Sequence, residues 1–149
     1  LDRDEVGSVC GQWKISRRKS LMNAKQKHLE FIQGIINRLA ADSFRIKGWA
    51  VVLVSALLVL LVREGRSDLA LVGFVPVLAF WGLDSYFLRQ ERLFRALYDQ
   101  VRQLEEDRVD FSMNTAPFSR TWLRAIFSTT LCLFYGALAV AVAVAIYVG

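Results

Sequence analysis

Charged and apolar residues follow one another along this chain in blocks rather than alternating residue by residue. Residues 48–62 carry no charge, a polar turn REGRSD occupies 63–68, residues 69–88 carry a single charge at Asp84, and residues 125–149 carry none. Uncharged runs of this length predict helices that cross a bilayer, the first two as an antiparallel hairpin and the last as a third span. The first run is short, since its 15 residues rise about 22 Å against a hydrocarbon core of about 30 Å. Lys47 and Arg63 extend it by snorkelling, and Trp49 stands where an interfacial aromatic belongs. Pro76 removes a backbone donor from the second run and predicts a kink there, read either as structural or as a hinge. The AVAVAVA portion of the last run alternates as a strand would, but a lone strand in lipid leaves its backbone unpaired, so a helix is expected.

Between these runs the apolar positions recur at helical spacing. Over residues 24–44, Leu29, Ile32, Ile36, Leu39 and Ala40 form one stripe, with Lys25, Lys27, Glu30, Asn37, Arg38 and Asp42 opposite. This predicts a cytoplasmic amphipathic helix over residues 22–47. Past Arg89, Phe94, Leu97, Val101 and Leu104 keep three-four spacing among charged residues. A long cytoplasmic helix continuing the second membrane helix is expected, packed on Leu29 to Leu39 or on its counterpart in a neighbouring subunit. Acids, Asn114 and Pro117 break the pattern, so residues 105–118 read as a loop, with Ser119 or Thr121 placed to cap the next helix. The expected fold is thus an all-α membrane protein with three transmembrane helices. Its parts are a basic segment 1–21, the amphipathic helix 22–47, the hairpin 48–88, a cytoplasmic helix and loop 89–124, and a third membrane helix 125–149.

Charge sets the orientation. Lys and Arg number ten in residues 1–47, two in 63–68, seven in 89–124 and none beyond. Cytoplasmic loops collect such residues, which places the amino terminus and central helix inside and the turn and carboxyl terminus outside. The net charge of +5 has the same explanation. Residues 1–21 lack the apolar core of a secretory signal. Met22, followed by NAKQKHLEF, would serve as a translation start, making the preceding segment a candidate non-native extension.

Catalytic chemistry finds no foothold in the sequence. It has no Gly-rich phosphate loop and no nucleophile elbow, one histidine and two cysteines, so neither an enzyme, a metal site nor a cofactor is expected. His28, alone on an amphipathic segment, is expected at an interface or on the surface. Asp84 is the one ionisable residue inside an apolar run, which makes it a functional candidate by cost alone. It can line the mouth of an ion pathway, or it can pair with Lys47, Arg45 or Arg38 or meet the headgroups. Ser85, Ser128 and Thr129 are further pore-lining candidates, set against the usual bonding of such hydroxyls to their own helix. One subunit has too little polar surface for a wet channel, so a pore requires several, with an apolar constriction gating by dewetting. Arg17, Arg18, Lys19, Lys25, Lys27, Arg38, Arg92, Arg95 and Arg102 are candidates for a basic cap that binds phosphates of a nucleotide or oligonucleotide. The competing reading is the ordinary excess of positive charge inside, or, for Arg17 to Lys19, contact with anionic lipid.

The stretch FIQGIINRLAADSFRIKGW, the hairpin after it and DSYFLRQERLFRALYDQVR together resemble small bacterial membrane proteins of the SLATT-like type over residues 30–102. That group comprises effectors with a two-helix membrane hairpin in anti-phage defence operons, often beside nucleotidyltransferases. The resemblance implies a homo-oligomeric channel of the inner membrane, gated by a nucleotide or oligonucleotide product and acting by depolarisation. This chain departs from the pattern in its third apolar run and in having no separate sensor domain, so its cytoplasmic helices would themselves sense the ligand. The other function carried forward is a non-conducting membrane adaptor that recruits a partner protein through those helices.

Overall fold

The computed structural model describes residues 3–64, 70–118 and 122–148; residues 65–68 of the expected turn and the expected capping residues Ser119 and Thr121 lie outside them. The described chain is helical, without a strand: α1 (Arg3–Glu64), α2 (Ala70–Gln103), a four-residue α3 (Leu123–Ile126) and α4 (Thr129–Val148). Among the described residues between α2 and α3 are two single 3-10 turns, Glu106–Arg108 and Ala116–Phe118, so residues 105–118 form a loop as their composition predicts. Among the described residues two helices, α1 and α4, are long and apolar enough to cross a membrane.

The main departure from expectation is α1. Its 62 residues form one helix about 93 Å long, so the basic segment, the amphipathic helix and the first apolar run are one element rather than three. No proline interrupts it, and Gly34 and Gly48 each cost only about 1 kcal/mol relative to alanine, too little to break a helix held on both sides of each by packing. α2 likewise passes through Pro76 and Arg89 without interruption, running 34 residues antiparallel to α1.

Two apolar cores lie along this pair. In one, Ile32 and Ile36 of α1 pack with Leu97 and Val101 of α2 and with Val109 of the loop, flanked by Leu29, Phe94, Tyr98 and Leu104. Burying each such side chain contributes about 1.5–3 kcal/mol. Leu29, Ile32 and Ile36 on one side and Phe94, Leu97, Val101 and Leu104 on the other are residues whose spacing predicted the two helices to pair. In the other core Ala50 and Val54 of α1, Val77 of α2 and Leu131, Tyr135 and Val142 of α4 meet. Lipid tails are as apolar as these side chains, so close packing and polar ties rather than water exclusion would hold that core inside a bilayer.

The end of α2 is tied to α1 by Lys25, whose Nζ donates to the carbonyls of Arg102 and Leu104 at 3.2 and 2.6 Å. That answers the shortage of donors at any helix carboxyl end. The third apolar run also differs from expectation, because it is not one helix from residue 125. α3 stops at Ile126, the chain turns at Phe127 and Ser128, and α4 starts at Thr129. Donors from α2 meet the carbonyls freed at this break: Trp81 Nε1 bonds Ile126 O at 3.1 Å, and Arg92 bonds Arg124 O at 3.1 Å and Ser128 Oγ at 3.0 Å.

Candidate functional site

Between the two apolar cores all three long helices converge on Asp84. Its carboxylate is fully buried and belongs to α2, which the apolar run on either side drives into the bundle. Lys47 Nζ lies 2.6 Å from Oδ2, Ser43 Oγ donates to Oδ1, and Tyr135 OH of α4 donates to Oδ2 at 3.2 Å. Lys47 also donates to Ser43 Oγ at 2.8 Å, one turn up the same helix. Tyr135 is held in place by a near-parallel ring contact with Trp81, centroids 6.4 Å apart. The charge is therefore matched by one cation and two hydroxyls, the arrangement a buried carboxylate needs if it is to stay ionised. Of the three cations of α1 expected as partners of Asp84, Lys47 pairs with it; Arg45 instead pairs with Asp42 on the exposed side of α1.

Of the two readings of Asp84, the single chain shows the pairing with Lys47. Asp84 and Ser85 face the interior of the bundle, both fully buried, with Ser85 Oγ bonded to the carbonyl of Gly82 at 2.7 Å. Ser128 is bound by Arg92 at the α3–α4 break, while Thr129 beside it is exposed. Ser55, also exposed, lies on the outer face of α1. Neither the Lys47–Tyr135 convergence nor the α3–α4 break carries a sequence motif; the only signal is the cost of the lone Asp84.

Within one chain the basic candidates stand at several separate places. Arg17 and Arg18, with Trp13, Lys14 and Leu21, line a cleft of about 480 Å³ whose opposite wall is acidic, formed by Glu105, Glu106 and Asp107. The Arg17 guanidinium lies over the Trp13 ring, 5.3 Å from its centroid. Lys25 and Arg92 are committed to backbone carbonyls. Arg95 pairs with Glu91 and lines a second cleft with Gln33, Asn37, Tyr98 and Asp99. Lys19, Lys27, Arg38 and Arg102 are exposed at separate points along the pair. Because α1 is continuous, Arg17 stands about 45 Å from Lys47 along the helix.

His28 is a further correction. It is buried rather than superficial, its ring edge-on to Phe111 at 5.5 Å, and its Nε2 has no hydrogen-bond partner. The loop covers it, and loop placement has no signature in the spacing around residue 28. Among the described residues no group of acidic, histidine or cysteine side chains is arranged to hold a metal ion. No family model, no curated protein and no solved structure matches this chain.

Proposed function

We propose that this protein is a multi-pass membrane effector that assembles with copies of itself and conducts ions when its cytoplasmic helices are displaced by a ligand. Three segments, the apolar parts of α1, α2 and α4, would sit in a bacterial inner membrane with the carboxyl terminus outside. One observation carries the reading: α1 is a single helix that contributes to both apolar cores and, through Ser43 and Lys47, to the polar layer between them. A tilt or rotation imposed near Arg17 has no hinge in which to dissipate before it reaches the membrane core. Such coupling suits a sensor and a gate carried on one short chain.

The ligand of this proposal is a nucleotide or oligonucleotide from an associated nucleotidyltransferase, held by Arg17, Arg18 and the Trp13 ring. The acidic wall opposite favours a compact ligand over an extended polyanion. The adaptor reading draws on a different observation. Residues 11–20 are exposed throughout, Trp13 and Ile15 by 60% and 64%, a surface a protein partner could cover.

The deciding experiment is ion flux from liposomes holding the purified full chain, with and without a panel of cyclic and linear nucleotides. Flux that responds to one of them supports the channel and its cap. Protein that inserts and oligomerises yet passes no ions under any condition leaves the adaptor.

A further inference from the structure

Two polar tie points fix the heights of the helices relative to one another. Lys47, Asp84 and Tyr135 meet at one level, and Arg92 and Ser128 at another about 12 Å away along α2. Past the first level each helix retains only about 20 Å of apolar length: residues 48–62 of α1, 70–83 of α2 and 136–148 of α4. A hydrocarbon core of about 30 Å is filled only if it takes in most of the interval between the two levels as well. In that interval α4 presents Leu133, 77% exposed, as lipid requires. At the same height α1 turns outward an ion pair, Asp42 with Arg45 at 3.2 Å, and the Arg45 side chain is 73% exposed.

Resting on the membrane placement of the proposed function, we propose that this outward face of α1 borders a water-filled path closed by further copies of the chain. α1, and not α2 or α4, then lines the conduction route. Arg45 stands at its cytoplasmic mouth, more exposed than Asp42 and so drawing anions. Below it the same face carries Trp49, Val52 and Ser55, all exposed in the single chain. Apolar side chains with one hydroxyl make a constriction that wets and dewets, the gate such a route needs. The occupant of this face is a second copy rather than lipid, because an ion pair at this depth is costly against acyl chains and α4 already supplies an uninterrupted apolar face.

A matched pair of positions tests this. Val52 on α1 and Val140 on α4 lie equally far past the Lys47–Asp84–Tyr135 level, and they are 63% and 62% exposed. Single cysteines at each, in a full chain carrying Cys10→Ser and Cys132→Ser, are reconstituted in liposomes. Both membrane faces are exposed to a charged, membrane-impermeant thiosulfonate, and modification is followed by mass. Val52→Cys should react on the order of tenfold faster than Val140→Cys, since only one of them meets water. Ser55→Cys against Ala143→Cys repeats the comparison should either valine variant fail to fold. Equal, slow reaction at both faces overturns the inference. Preferential labelling without any ion flux keeps the wet face and removes the channel; flux with equal labelling keeps the channel and removes α1 from its lining. Where flux is present, Arg45→Glu should move the reversal potential in a salt gradient toward cation preference, and an unchanged potential would refute a role at the mouth.

Discussion

Removing the ammonium of Lys47 strands the Asp84 carboxylate in the middle of three helices, and the structure sets how much that should cost. Asp84 is fully buried and would keep only the hydroxyls of Ser43 and Tyr135. Breaking a buried pair from one side costs about 3–5 kcal/mol, and Lys47→Ala belongs at the upper end because the orphaned group cannot move to water. Asp84→Ala belongs at the lower end, about 3 kcal/mol, since the Lys47 side chain is 21% exposed, keeps Ser43 and can straighten toward the surface of the bundle. Replacing both, Lys47→Met with Asp84→Leu, should restore part of the loss, because an apolar pair needs no counter-charge while the buried Tyr135 hydroxyl loses its acceptor. Unfolding by SDS titration from mixed micelles gives the three differences in one experiment. If Lys47→Ala unfolds with the wild type, or the double variant is as unstable as the worse single one, the cluster does not hold the helices together.

Smaller ties have their own signatures. Lys25→Met removes the donor to the carbonyls of Arg102 and Leu104; we expect a loss of about 1–2 kcal/mol and faster amide exchange confined to the last turn of α2. Arg92→Ala frees Arg124 O and Ser128 Oγ and should cost about 2 kcal/mol, with exchange rising at residues 125–129 while the Ile32–Val101 core stays protected. His28→Leu should be neutral or raise thermal stability by about 1 kcal/mol, because it removes a buried nitrogen without a partner. A comparable loss in that variant would mean that Nε2 is bonded in the folded protein.

How far the sequence foretells this arrangement varies with the range of the interaction. The spacing of Leu29, Ile32 and Ile36 and of Leu97 and Val101 is local, and the structure packs those very stripes together. The loop at 105–118 follows from its own acids and proline. What spacing conceals is where one element becomes the next. The change from charged to apolar at Lys47 and Gly48 marks a change of surroundings, which α1 crosses without a break. The opposite error occurs at Phe127 and Ser128, where an uncharged run contains a real break because Trp81 and Arg92 of another helix satisfy the carbonyls it frees. Asp84 is conspicuous by cost, yet choosing Lys47 and Tyr135 as its partners takes the relative height of three helices, which no single stretch encodes.

The proposed coupling turns on α1 carrying the cytoplasmic pair into the membrane core as one rigid helix. The most direct measurement is the distance between spin labels at Lys27 and Leu53, both exposed on α1 on either side of the junction, by double electron–electron resonance in lipid nanodiscs. In an oligomer, unlabelled chain is added in excess so that each labelled pair is read alone. An unbroken helix separates these positions by about 39 Å along its axis, in a narrow distribution. A broad distribution, or a maximum well short of that value, would mean a hinge near Gly48 and would contradict the coupling on which the proposed function rests.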